Sequence, residues 1–314
     1  MMGKDKRILV IGSYNADLTA RAKRIPGPGE TVLGHGFAVT NGGKGSNQAV
    51  ACAKAGAACT FIAKLGHDTF GDMAMEMYRS VGLDTSGMLF SDTEPTGAAL
   101  IMVSDTTADN CILVSSGSNL SFDKDDEEKI KGYIDTSDII LFQLEITPEV
   151  NFSLMRYAHE KGKRVILNTA PAGELPDDLY PALFLVTPNE HEAALMTGIE
   201  VTDIPSADRA CKALLDKGVK NVIITLGSMG AYIKNGEISC HVPAFRVEAV
   251  DTTGAGDAFN GALAAALLKG MDLPEASRFA SAAAAISVTR PGAAVSSPYI
   301  EEIDKFLTEA CYVC

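Results

Sequence analysis

The sequence predicts an α/β fold: a central, mostly parallel sheet with helices on both faces, plus a small antiparallel β lid. Three observations predict it. Short apolar runs alternate with stretches of helical composition. Two segments break that rhythm and read as strands with no helix between them. Polar and Gly-rich turns recur where the parallel strands would end, the edge at which such sheets bind ligands.

In chain order, residues 6–13 form an apolar, β-rich run ending in glycine, a first buried strand. Residues 43–57 are Ala-rich and helical, 60–65 a strand, and 73–81 a helix. Residues 139–144, 164–168, 183–187 and 221–226 are further strands, separated by helices over 148–161 and 207–217. Two final helices cover 257–269 and 273–289. Residues 30–40, and 97–104 with 110–115 joined by the polar turn 105–109, are the strands without helices. They predict a β flap standing off the main sheet, which either covers a ligand or pairs with another subunit. One domain over 1–314, with the flap formed by about 17–42 and 95–117, is expected.

A chain of 314 residues with 46% hydrophobic and 21% charged residues is ordinary for a globular protein with a large core. The net charge of −13 argues against nucleic-acid or anionic-membrane partners, which need basic surfaces. The longest apolar run, near 262–268, is far short of a membrane span, and the N-terminal run is too short for a signal peptide, so a cytoplasmic protein is expected. Seven scattered cysteines form no disulfide framework; Cys311 and Cys314 resemble half a zinc site without its other half. His191-Glu192 opens like a zinc-protease helix, but Leu195 stands where the second His belongs.

The most informative stretch is Asp251-Thr252-Thr253-Gly254-Ala255-Gly256-Asp257, running straight into an Ala/Leu-rich helix. A helix start leaves N–H groups without partners at the positive end of the macrodipole, a ready anion site. Asp257 then lies in the first turn beside that site. A base next to an anion cradle suits phosphoryl transfer to a hydroxyl. An acidic residue in a first helical turn also has the plainer reading of favouring the dipole. Asn41-Gly42-Gly43-Lys44-Gly45-Ser46-Asn47 is no Walker A loop, because Ala38 and Gly45 stand where a Gly and a Ser or Thr belong. It still opens a helix and can present donors to a polyol or phosphate. Asn15-Ala16-Asp17 and Glu145 sit at strand ends suited to sugar hydroxyls, although an Asx turn explains the first equally well. Asn189 and Glu192 share a helical face, as in a capping box. Thr225-Leu226-Gly227-Ser228-Met229-Gly230 is a Gly-rich strand exit suited to a nucleotide.

Together with Pro28-Gly29-Glu30-Thr31, Gln143-Leu144-Glu145 and Asn168-Thr169-Ala170-Pro171-Ala172, these segments resemble the ribokinase family of carbohydrate kinases nearly end to end. The two signatures, around Gly42 to Asn47 and Asp251 to Asp257, are both complete. The resemblance implies an ATP-dependent kinase acting on the 5-hydroxyl of D-ribose, with magnesium and potassium, as a homodimer through the lid. It implies Asp257 as base and Gly254, Ala255 and Gly256 as anion hole. It carries sugar binding onto Asn15, Ala16, Asp17, Gly43, Lys44, Gly45, Ser46, Asn47 and Glu145. ATP falls to Asn189, Thr225, Leu226, Gly227, Ser228, Met229, Gly230, Gly256, Asp257 and Ser281, and magnesium indirectly to Glu192. A monovalent cation falls to Asp251, Thr253, Ser287, Arg290, Gly292 and Ser296. Thr169, in place of a proline, and Asn41, in place of an apolar residue, depart from the pattern. Related readings are a 2-deoxyribose or nucleoside kinase, or a sugar sensor without chemistry.

Overall fold

A computed structural model describes residues 6–107 and 109–310; Cys311 and Cys314 lie outside them. The chain runs β1 (Ile8–Ile11), β2 (Asn15–Ala22), β3 (Gly36–Gly42), α1 (Lys44–Lys54), β4 (Cys59–Ile62), β5 (Lys64–Gly66), α2 (Thr69–Ser80), β6 (Leu89–Ser91), β7 (Ala98–Ser104) and β8 (Asn110–Ser115). It continues α3 (Lys124–Thr136), β9 (Ile139–Phe142), α4 (Pro148–Glu160), β10 (Arg164–Leu167), β11 (Leu185–Val186), α5 (Glu190–Thr197), α6 (Ile204–Asp216) and β12 (Val222–Thr225). It ends with β13 (Ala231–Lys234), β14 (Ser239–Val242), α7 (Ala255–Lys269), α8 (Leu273–Ser287) and α9 (Ile300–Ala310).

The central sheet has eight strands in the order β14-β13-β12-β11-β10-β9-β1-β4. The six from β12 to β4 are parallel, while β13 pairs antiparallel with β12 and β14 antiparallel with β13. β1 shows why its sequence is an unbroken apolar run. Ile8 and Val10 face one core with α1, α7 and α8, while Leu9 and Ile11 face the other with α3, α4 and α6. A strand covered on both faces has no polar side to show. A separate four-stranded sheet has the order β3-β2-β7-β8. Its two antiparallel pairs, β2 with β3 and β7 with β8, are joined by a parallel pairing of β2 with β7.

Several expectations shift. The strand expected over 60–65 divides at Ala63: β4 joins the central sheet and β5 pairs with β6. The strand expected over 30–40 forms only from Gly36, because β2 ends at Ala22 and leaves earlier residues nothing to pair with. Asn15-Ala16-Asp17 is no turn; it opens β2. The unexpected α3 has Asp126, Ile130 and Ile134 as its buried residues, too narrow a stripe to register, and is started by a capping box on Asp123. β13 and β14 flank Asn235-Gly236, a hairpin signal that a search for strand–helix alternation passes over. Among the described residues no helix is long and apolar enough to cross a membrane. Cys52, Cys59, Cys111, Cys211 and Cys240 are free thiols.

Candidate active site

The site forms where α1 and α7 cross above the C-terminal ends of the parallel strands. Gly261 permits the crossing: a Cβ there would lie 2.4 Å from the Gln48 carbonyl oxygen and 2.6 Å from Ala51 Cβ. Gly43 starts α1 at φ +87°, where a Cβ would lie 2.7 Å from both Asn15 N and Tyr14 Cα. No other residue type fits such a left-handed, crowded position without strain. Gly45 is equally enclosed, its would-be Cβ 2.6 Å from Ser13 N. The free N-terminus of α1 is capped from a distant strand exit: Glu145 Oε2 accepts the Lys44 N–H (2.9 Å) and the Ser13 hydroxyl.

This crossing sets Asp257, which is 8% exposed, against the first turn of α1. Asn47 Nδ2 donates to one of its oxygens and Gln48 Nε2 to the other, both at 2.9 Å. Gln48 Nε2 also donates to Asn168 Oδ1 (2.9 Å), and Gln48 Oε1 accepts from Gln143 (2.8 Å). Asn168 donates to the Thr187 carbonyl, Thr187 to Asn260 Oδ1, and Asn260 to the Gly256 carbonyl. A buried polar chain thus fastens the base to three strand ends. Burial pushes the Asp257 carboxyl above its ordinary range, and Glu145 adds to the rise. The Lys44 ammonium and the two amide donors pull against it without cancelling it. Asp17, on β2, is pushed up to about 6 by burial first and by Glu145 and Asp257 next.

At the start of α7, Gly254 takes the left-handed region (φ +76°) and no side chain caps the helix. The Ala255 N–H bends back to the Thr252 carbonyl, while those of Gly254, Gly256 and Asp257 donate to no described residue. Gly256 is exposed with open space around its Cα. Free donors, a helix dipole and an adjacent carboxylate therefore coincide.

Asn189 and Thr225 meet as a bridge between neighbouring strand exits. Glu192 is engaged on both oxygens, by the Asn189 N–H, the Asn189 amide and the Thr169 hydroxyl, which makes it a buried capping box. The turn at Gly227, Ser228 and Met229 is exposed beside a cavity of about 640 Å³ lined by Ser228, Met229, His241 and Phe245. Leu226 is buried in the core, and Ser281 is half-buried on α8. Asp251 accepts from the Thr253 and Gly292 N–H groups, the Val250 and Asp251 N–H groups donate to the Val288 carbonyl, and the buried Ser287 and Ser296 hydroxyls lie 3.2 Å apart. Arg290 pairs with Glu302.

Ser46 has no face toward the site: it is fully buried and its hydroxyl accepts from Tyr78 (3.0 Å). Gln48, Asn168, Thr187 and Asn260 were given no role from sequence. Asn260 carried a signal, a lone amide in the Ala/Leu-rich body of its helix.

A model of the pfkB family of carbohydrate kinases matches residues 5–300. The chain is 40% identical over 306 residues to the ribokinase of Haemophilus influenzae, covering 97% of this chain and 99% of that protein. It is 36% identical over 303 residues to the deoxyribokinase of Salmonella typhimurium, covering 96% and 98%. It is similar to the solved structure of Arabidopsis thaliana ribokinase complexed with ribose and ATP, with a TM-score of 0.89 at 30% identity over 96% of this chain and 98% of that one. With matches running nearly from end to end, the chain belongs to the pfkB family of carbohydrate kinases.

Proposed function

We infer that the protein is a ribokinase, transferring the γ-phosphoryl group of ATP to the 5-hydroxyl of D-ribose to give ribose 5-phosphate and ADP. The carrying observation is Asp257, a buried carboxylate of raised pKa adjoining unpaired helix N–H groups. A raised pKa suits a base that must hold a proton during transfer. The N–H groups of Gly254, Gly256 and Asp257 would stabilise charge on the phosphoryl oxygens, with Ala255 fixing the turn.

Ribose would lie between Asn15, Asp17, Gly43, Lys44, Asn47 and Glu145, under the small sheet acting as a lid. Asn47 Oδ1 is buried without a hydrogen-bond partner, an acceptor that a sugar hydroxyl can satisfy. ATP would lie along Asn189, the 225–230 exit and Ser281. No three His, Cys, Asp or Glu side chains among the described residues could hold a metal ion, so magnesium would arrive with the phosphates, with Glu192 acting only through waters. A potassium ion fits the loops at 251–253 and 287–296, whose Asp251 carboxylate and carbonyl and hydroxyl oxygens are hard donors. Its charge would steady the loop in front of the anion site. ATP as substrate calls for a cytoplasmic location.

The test is ADP release from MgATP, with potassium, across D-ribose, 2-deoxyribose, fructose and adenosine. Release with ribose, and a loss of about 10²–10⁴-fold in kcat for Asp257→Ala with ribose binding retained, is the expected outcome. The deoxyribokinase relative makes preference for 2-deoxyribose the second reading. Ribose binding without any ADP release would leave a sensor.

A further inference from the structure

We propose that Asn119 is a positioning residue that fixes Asn15 as a hydrogen-bond donor toward the sugar and so makes the site select for a hydroxyl at that point. The inference rests on the sugar site described above. Asn119 belongs to the helical turn Gly117–Leu120 and is 1% exposed. Its Oδ1 accepts the Tyr14 N–H (3.1 Å) and its Nδ2 donates to the Tyr14 carbonyl (2.8 Å). Backbone groups have fixed polarity: an N–H only donates and a C=O only accepts. Tyr14 therefore dictates which way round the Asn119 amide sits.

The second hydrogen of Asn119 Nδ2 goes to Asn15 Oδ1 (3.0 Å). That occupies the Asn15 oxygen and leaves its NH2 group, which bonds to no described residue, as the end presented to a ligand. Turning the Asn15 amide over would set two NH2 groups face to face and leave a buried donor unmet. The pair is sealed: a Cβ on Gly97 would fall 2.3 Å from Asn119 Nδ2 and 2.4 Å from Asn15 Oδ1.

Asn15 and Asp17 are two apart on β2, so their side chains share a face. One offers donors and the other, when ionised, only acceptors. A hydroxyl can accept from Asn15 while donating to Asp17; a hydrogen in its place can do neither. Discrimination between a hydroxyl-bearing sugar and its deoxy analogue thus begins in the backbone of Tyr14 and passes through Asn119.

The experiment is steady-state kinetics with D-ribose and 2-deoxy-D-ribose, and calorimetric ribose binding, on the wild type, Asn119→Asp, Asn15→Ala and the double variant. A carboxylate at 119 cannot donate to Asn15 Oδ1, so the Asn15 amide turns. Asn119→Asp is expected to raise the ribose KM about ten- to hundred-fold. Its kcat and KM for ATP should stay within about two-fold, and its preference for ribose over 2-deoxyribose should narrow. In the Asn15→Ala background the same change should add nothing further. Penalties that multiply in the double variant, or a fall in kcat with a matching rise in the KM for ATP, would overturn the proposal in favour of a purely structural role. Should Asn119→Asp not fold, Asn15→Asp keeps the Asn119 bond but replaces the outward NH2 with oxygen; an unchanged ribose KM there overturns it equally. A wild type that neither binds nor phosphorylates ribose, seen before any variant is made, overturns the sugar site and this inference with it.

Discussion

Asp17 and Asp257 carry opposite demands at the level of single residues. On the proposed mechanism each would be ionised to serve a sugar, and each is placed where ionisation is costly. Asp17 is raised from 3.8 to about 6 in the fold. Because the folded pKa is the higher one, proton binding stabilises the fold fully below about 4, and that contribution is lost as pH rises through about 6. At neutral pH the wild type therefore carries the cost of a buried charge. Asp17→Asn should raise thermal stability at pH 7.5, by on the order of 2 kcal/mol, and the gain should shrink to nothing as pH falls from 6 to 4. Ribose affinity should fall in the same variant. Melting curves across pH check the first outcome and calorimetry the second; a gain independent of pH would contradict the account. Asp257, at the anion site, was legible from its place after Gly256. The network around it was not, because Gln48, Asn168 and Asn260 are far apart in sequence and only the crossing of α1 and α7 unites them.

At the level of elements, the geometry depends on helix starts that only glycine allows. Gly43→Ala would place a Cβ 2.7 Å from two backbone atoms at φ +87°. It should destabilise the fold by about 1–3 kcal/mol and weaken sugar binding, since α1 would back away from Tyr14 and Asn15. Denaturant titration with ribose calorimetry reads both effects, and a neutral result would show that α1 can shift freely. Most of the central sheet was readable because strands covered on both faces are plain apolar runs. α3 was not readable, since it is mainly charged, and the β13–β14 hairpin was missed because the eye for alternation expects a helix next. The extent of β3 was misjudged because a strand ends where its partner does, and the partner β2 was not itself read as a strand.

For the whole molecule, the small sheet poses the largest question of exposure. One of its faces carries the rows Val39–Leu18–Leu100–Leu113 and Phe37–Ala20–Met102–Cys111, with Phe37 70% and Leu113 67% exposed. An apolar face this continuous calls for a partner. A second copy of the chain is the occupant we expect, giving a particle of twice 33.0 kDa. Phe37→Asp combined with Leu113→Asp should yield monomers by light scattering at micromolar concentration; a dimer that survives the pair of charges would place the interface elsewhere. Fold class was legible from sequence at this scale, and so was the flap, yet its parallel seam between β2 and β7 was not, because it joins segments separated by the whole of α1 and α2.

β2 has a consequence for how such a protein can diversify. Its odd-numbered positions Asn15, Asp17 and Thr19 point to one side and its even-numbered Leu18 and Ala20 to the other. On the proposed reading, substrate choice and self-association would be written on alternate letters of one eight-residue word. Point substitutions would then edit either text alone, but a single inserted or deleted residue would exchange the two faces, turning Asp17 to the side Leu18 now takes and Leu18 to the side of Asp17. Length variation among descendants of this chain is therefore expected in the connections beyond Ala22, and not between Asn15 and Ala20.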